Sequence, residues 1–165
     1  MVYFNYDKMN NEIIVKLENK FSLLKKEVGF KTTFDKLDDI FLLKDAVLDE
    51  DYIPSDLFSL LSRRIVDFYS NILNQLHNIV MPNPNSMISI TQNSMFTEDE
   101  REEMIQLMNS ILALTSKNPV ITITQNVKDK AKFIDDSFNL WDKNLKEKIE
   151  KISKKIHKEW VKKSS

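Results

Sequence analysis

Apolar residues recur every three or four positions over most of the chain, which is the spacing of one face of an α-helix. The first such stripe lies in residues 7–28 and consists of Ile13, Leu17, Phe21, Leu24 and Val28. Gly29 follows at once, at the position where a left-handed residue commonly ends a helix. Phe30 would then fold back on the last turn. The pattern predicts a helix that ends at Val28, with the glycine in a structural position.

Two further helices are predicted before residue 81. The second helix begins at Thr33, ends near Asp49 and turns four apolar residues inward: Phe34, Leu37, Phe41 and Leu48. The third helix takes Ser55 as its N-cap and runs to about Val80. Its apolar positions cover a wide arc, which is typical of a helix that is buried on two sides. We therefore expect it at the centre of a bundle.

The fourth and fifth helices complete the predicted bundle. Thr97 and Glu100 have the spacing of a capping box, which marks the start of the fourth helix. The fifth helix covers residues 127–163, and its stripe advances 33 residues in nine steps from Val127 to Trp160. That average matches an 11-residue period, which favours a nearly straight helix over a left-handed supercoil. The sequence thus predicts one mainly α domain over residues 1–165, with a long C-terminal helix.

A nine-residue phrase occurs twice, as "NSMISITQN" at 85–93 and "NPVITITQN" at 118–126. Alternating Ile and Ser/Thr is typical of a half-buried strand, so a minor parallel pairing of 87–92 with 120–125 is one interpretation. In the other interpretation, Asn118 and Pro119 begin the long helix, because proline is favoured in a first turn. Both stay open. The phrase also indicates an internal repeat. We interpret its asparagines as helix caps and not as residues that bind a ligand.

The composition excludes several kinds of functional site. The 165 residues carry a formal net charge of −1, one glycine and no cysteine. Disulfides, thiolate metal sites and cysteine nucleophiles are therefore excluded, and a glycine-rich phosphate loop cannot be built. No apolar run approaches the ~20 residues of a membrane span. The N-terminus lacks a basic leader, so we expect no targeting segment and a cytoplasmic location.

One acidic run is the nearest approach to a catalytic motif. Residues 99–103, "DEREE", resemble the Glu-Glu-x-x-Glu motif of all-α nucleoside-triphosphate pyrophosphohydrolases, and Asn126-x-x-Asp129 resembles the second half of that motif. The resemblance implies a magnesium site at Glu100, Glu103 and Asp129. Asn126 replaces a ligand, however, and acidic residues are expected in a first helical turn because they offset the helix dipole. We therefore predict no metal, no other cofactor and no catalytic residue.

Charge is segregated along the chain. Residues 35–56 contain eight acids and two lysines, whereas residues 142–165 contain nine lysines and four acids. The basic end has an exposed face of five lysines: Lys148, Lys151, Lys154, Lys155 and Lys158. Such a face would suit nucleic-acid phosphates. Each acid of the segment also has a lysine four residues later, which is the spacing of a self-supporting solvated helix.

These patterns favour a non-catalytic interaction or assembly protein that acts through helix–helix contacts. Four apolar residues near the C-terminus would lack a covering neighbour if the long helix extends beyond the others: Ile149, Ile152, Ile156 and Trp160. We expect them to bind a second copy in a homodimer, or another helical protein. A nucleic-acid-binding protein is the first alternative, and a magnesium-dependent nucleotide pyrophosphohydrolase is the second.

Overall fold

The computed structural model describes the backbone of residues 2–164 and the side chains of residues 10–164, and within these limits the chain is helical without strands. The mainly α fold class is confirmed. The elements are α1 (Val2–Val28), α2 (Phe34–Phe41), α3 (Leu43–Glu50), α4 (Leu57–Val80), α5 (Met87–Ser94), α6 (Glu98–Thr115), α7 (Lys117–Thr124), α8 (Val127–Asn139), a π-helical segment (Leu140–Leu145) and α9 (Lys146–Ser164). In this described part, no helix is long and apolar enough to cross a membrane.

The end of α1 is as predicted. Gly29 has φ +85°, and its N–H donates to the Lys25 carbonyl at 2.9 Å. A left-handed residue here satisfies a carbonyl of the last turn, which otherwise has no partner within the helix. Phe30 is buried, and its ring packs edge-on against Phe21 with centroids 5.4 Å apart. The single glycine therefore ends the helix and directs the following phenylalanine into the core.

The second predicted helix, 33–49, is wrong in one respect, because it is two helices. Leu42 interrupts it in the left-handed conformation, with φ 52° and ψ 54°. The Asp38 carboxylate accepts a hydrogen bond from Lys44 N–H at 2.8 Å and so stabilises the start of α3. The break turns Leu43 and Val47 into the core, where both are 1% exposed. The predicted inward residues Leu37 and Phe41 are buried as well, whereas Phe34 and Leu48 are only half-buried.

The strand pairing of 87–92 with 120–125 is wrong, since 87–92 lies in α5 and 120–124 lies in α7. Ser86 caps α5, and its hydroxyl accepts from Ser89 N–H at 3.3 Å. In α7, the Thr122 hydroxyl donates to the Asn118 carbonyl at 2.9 Å. A side-chain cap such as Ser86 favours helical turns over the extended conformation that Ile and Thr prefer, whereas the threonine bond to the carbonyl four residues earlier only accompanies the helix.

The two copies of the repeated phrase end differently. Gln125 adopts a left-handed conformation with φ 53°, so α7 stops before the long helix begins. The Asn126 side chain then caps α8 by accepting from Lys128 and Asp129 N–H groups, at 2.9 and 3.2 Å. Asn93 instead lies inside α5, and its amide donates to the Ile79 carbonyl at the end of α4, at 2.7 Å. Each asparagine thus has a helix-terminal role.

The chain packs as two compact units. The first contains residues 1–68 and 117–138. Its core includes Leu17, Phe21, Leu37, Phe41, Leu61, Ile65, Phe133 and Ile134. Helix α4 is capped here by Asp56, one residue beyond the predicted Ser55, and its carboxylate accepts from Ser59 N–H at 3.2 Å. Arg64 donates to the Phe41 carbonyl at 2.9 Å, so this arginine has a structural partner.

The second unit contains residues 69–116 and 139–165. Its core includes Tyr69, Ile72, Leu76, Ile79, Phe96, Met104, Leu107, Ile111 and Leu145. The first part of α4 thus belongs to the first unit and the rest to the second, and both parts contribute buried side chains. His77 and His157 are exposed, which agrees with their interpretation as surface residues.

The long C-terminal helix has the predicted extent, but residues 140–145 are π-helical. Lys146 N–H bonds to the Trp141 carbonyl, five residues earlier, which is the defining contact of a π turn. The buried Tyr69 side chain forms a hydrogen bond with the Trp141 backbone at this turn. A π turn holds more residues than an α turn, which is consistent with a stripe that advances more than 3.6 residues per turn.

Candidate functional site

The apolar stripe of α9 is the surface that the sequence singled out for interaction. Ile149, Ile152, Ile156 and Trp160 all lie on α9, and all four are half-buried. Among the described residues of α9, no side chain is buried. Leu145, the preceding member of the same stripe, is by contrast fully covered. The side chains of the stripe are therefore less buried from the start of α9 onward.

The predicted basic face is only partly free. Lys148, Lys151, Lys154 and Lys158 are exposed, and Lys155 is half-buried. Lys154 pairs with Glu150 at 2.5 Å, one of the predicted contacts between residues four apart. The hydrogen bond from Lys154 lowers the pKa of Glu150 below its usual value. This pairing neutralises part of the lysine face.

A second acid of α9 pairs differently from the prediction. Glu159 pairs with Lys162 at 2.7 Å, three residues on, instead of Lys163. The hydrogen bond from Lys162 lowers the pKa of Glu159. Both spacings place two side chains on the same side of a helix, so the pair keeps its supporting role.

Lys155 connects α9 to the start of α6. Its ammonium group lies 2.7 and 2.6 Å from the two carboxylate oxygens of Glu100. It also lies 5.0 Å from the centre of the Phe96 ring, a cation–π distance. The hydrogen bond from Lys155 is the main cause of the lowered pKa of Glu100, and the Thr97 N–H adds to it. Glu100 is therefore occupied by Lys155 and by the capping box.

A groove lies between α6 and α9 beside this ion pair. Its volume is about 160 Å³. The floor is apolar and is formed by Phe96, Met104, Leu107 and Ile152. Lys148 and Lys151 of α9 stand on one rim, and Glu103 of α6 stands on the other. A groove of this size and lining can accommodate one bulky apolar side chain.

The residues of the magnesium alternative do not form a ligand cluster. Glu100 accepts from Lys155, Glu103 lines the groove, and Asp129 lies in the first turn of α8. Within residues 10–164, no three acidic or histidine side chains gather as a group that could hold a metal ion. The capping box and Lys155 together account for Glu100: Thr97 N–H donates to its carboxylate at 2.9 Å, and Lys155 donates to both of its oxygens. The acidic run therefore serves the helix end.

Comparison with known proteins adds no assignment. No family model, no curated protein and no solved structure matches the chain.

Two features of the groove were not anticipated from the sequence. Phe96 supplies its floor, and the Lys155–Glu100 pair closes one end, although these two charges are 55 residues apart in the chain. A phenylalanine directly before a capping box is a local signal for the first feature. The second depends on how α6 and α9 pack, which spacing alone does not reveal.

Proposed function

We propose that this chain is a non-catalytic interaction protein that assembles with a second copy through the apolar stripe of α9. The half-covered state of Ile149, Ile152, Ile156 and Trp160 carries the proposal. Burial of the remaining apolar surface of these side chains against a partner is favourable, because it removes that surface from water. A two-fold symmetric homodimer is the commonest way in which a chain covers such a surface with itself.

The expected effect follows from the buried area. Complete burial of a Leu- or Ile-sized side chain contributes ~1.5–3 kcal/mol. Since these side chains are already mostly covered, at most about a third of that, ~0.5–1 kcal/mol each, remains for a partner to supply. Because both copies of a homodimer carry the two substitutions, four side chains lose this contribution, and association should weaken by at most ~2–4 kcal/mol, or about thirty- to a thousandfold in Kd.

The test is sedimentation equilibrium of the variant Ile149→Gln/Ile156→Gln. Because glutamine is a good helix former, the substitutions retain α9 while they remove its apolar surface. The matched control is His157→Gln, which places the same residue on an exposed position of the same helix. We expect the double variant to shift to monomer at concentrations where the wild type and the control associate.

Fluorescence supplies an independent measurement. The chain has two tryptophans, so Trp141→Phe leaves Trp160 as the only one. On dilution from dimer to monomer, the Trp160 emission should shift to longer wavelength as water reaches the indole. A chain that stays monomeric at about 0.5 mM, with Trp160 emission independent of concentration, refutes self-assembly through α9.

The two alternatives from the sequence have weaker support. A nucleic-acid-binding face would use all five lysines, but two of them, Lys154 and Lys155, are paired with carboxylates, which reduces the charge available to phosphates. A magnesium-dependent hydrolase would need Glu100 as a ligand, yet Lys155 occupies both of its oxygens. Titration of a labelled oligonucleotide at low and high salt, and nucleotide hydrolysis with added Mg²⁺, test these alternatives directly.

A further inference from the structure

Leu42 is an exposed leucine in a strained conformation. Its φ of 52° places it in the left-handed region, and 47% of its surface is exposed. For a residue with a Cβ atom this conformation is unfavourable, and glycine or asparagine usually occupies it. Within one copy of the chain, burial does not explain a leucine here. Strain of this kind, when retained, is a reason to look for a functional contact.

The surroundings of Leu42 are acidic. Asp39 and Asp45 are exposed, three residues before and three after it, and Asp35 and Asp49 are exposed as well. None of these four carboxylates has an ion-pair partner among the side chains of residues 10–164. Asp38 differs, because it bonds Lys44 within the turn. We call Leu42 with Asp39 and Asp45 the acidic knob.

The groove between α6 and α9 has the opposite character. It offers an apolar floor for one large side chain, and two exposed lysines, Lys148 and Lys151, stand on one rim, opposite Glu103. Aspartates on either side of an inserted leucine would face those lysines. This combination of an apolar contact with flanking opposite charges is what fixes the register of protein interfaces.

We propose that the acidic knob of one copy binds in the α6–α9 groove of a second copy. The inference rests on the function proposed above and names the surface that meets α9 and its groove. In a two-fold dimer the contact is reciprocal, so that each copy contributes one knob and one groove. Leu42 packs over Phe96 and Ile152, and Asp39 and Asp45 pair with Lys148 and Lys151.

The first test separates folding from binding. Leu42→Asn removes the apolar side chain but suits the left-handed conformation. We expect the monomer to unfold at an equal or higher urea concentration, while the Kd of self-association rises at least tenfold. Leu23→Gln is the control, since it removes another exposed leucine of the same unit, 65% exposed on α1, and should leave the Kd unchanged. An unchanged Kd for Leu42→Asn overturns the inference.

The second test is a charge exchange between copies. Lys148→Glu/Lys151→Glu and Asp39→Lys/Asp45→Lys should each self-associate at least tenfold more weakly than the wild type. When the two variants are mixed, both contacts regain opposite charges, so a heterodimer should form. Lys154→Glu/Lys158→Glu is the control, because it makes the same charge change on α9 outside the groove. Mixing it with Asp39→Lys/Asp45→Lys should not restore association.

The outcomes distinguish the inference from the proposed function. If the mixture fails to associate while Ile149→Gln/Ile156→Gln still disrupts the wild-type dimer, α9 assembles through another surface and only the acidic knob is wrong. If the stripe variant also has no effect, both proposals are wrong. A wild-type chain that remains monomeric but binds an acidic helical peptide in the groove assigns the site to a different protein and overturns the self-association.

Discussion

Replacement of Asp135 by asparagine tests the main polar contact of the first unit. Lys31 and Thr32 N–H groups donate to the Asp135 carboxylate at 3.0 and 2.9 Å, and the Thr32 hydroxyl donates at 2.6 Å. These bonds attach the loop that follows Gly29 to α8. Thr32 is only 8% exposed, so its groups have little access to water if the carboxylate is removed. Asp135→Asn should therefore destabilise the fold.

The size of the effect follows from the charge of the acceptor. Hydrogen bonds to a charged group contribute ~1.5–3 kcal/mol each, but several bonds to one carboxylate are not additive, and asparagine can still accept one. We expect a loss of about 2 kcal/mol in the free energy of unfolding at pH 7. Urea denaturation followed by circular dichroism measures this loss, with Asp136→Asn, the neighbouring half-buried acid, as the control.

The pH dependence provides the stricter test. Burial raises the pKa of Asp135, but hydrogen bonds from Thr32 and Lys31 outweigh it and lower the pKa below the ordinary value of 3.8. Since the folded-state pKa is the lower one, the contribution is complete above the unfolded-state pKa and disappears as pH falls through the folded-state value. The difference between wild type and variant should be full at pH 7 and shrink below about pH 4. A difference that is the same at pH 3, or below about 0.5 kcal/mol at pH 7, would refute the reasoning.

Substitutions at three other positions have definite expected outcomes. Burial raises the pKa of Tyr69 far above its usual value, so Tyr69 should stay protonated in an alkaline absorbance titration until the protein unfolds. Tyr69→Phe removes the hydrogen bond to the Trp141 backbone and should lower the free energy of unfolding, measured with urea, by about 1 kcal/mol. Gly29→Ala should cost ~1–2 kcal/mol through backbone strain alone, because an added Cβ meets nothing within 4 Å, and Gly29→Asn should cost less by the same measurement. Thr97→Ala removes half of the capping box and should lower the free energy of unfolding by about 1 kcal/mol, which a lower thermal midpoint would report. Thr97→Ser retains the hydroxyl and should leave the midpoint unchanged.

Spacing predicted most of the helices because burial of one face is a local, periodic property. The stripe of α1, the stop at Gly29 and the capping box at Thr97 and Glu100 are all readable within a few residues, and each is present. The apolar spacing also continues through Leu42, so periodicity carried no sign of the break there. The contact that favours the break, from Lys44 N–H to Asp38, is one of many that an aspartate in such a segment can form.

The candidate site was harder to predict than the helices. The residues of the α9 stripe and the lysines beside it were identified from their positions on one helix. The groove, however, depends on contacts between α6 and α9, and Lys155 was assigned to a solvated face although it binds Glu100. The repeated phrase misled for a related reason: its β-branched residues favour strands, but Ser86 and Asn126 supply caps that stabilise helical turns.

The π-helical segment determines which side chains of α9 lie on its apolar side. A π turn accommodates one residue more than an α turn, so deletion of one residue between Leu140 and Leu145 would restore an ordinary α-helix and leave the later side chains facing as they do now. Conversion of the same six residues to an ordinary α-helix without a deletion would instead turn every later side chain by ~100° about the helix axis. Lys148, Lys151, Lys155 and Glu159 would then replace the four residues of the α9 stripe. The apolar face of α9 therefore depends on the extra residue that the π turn accommodates, and a sequence change that favours a regular α-helix there would exchange it for a charged face.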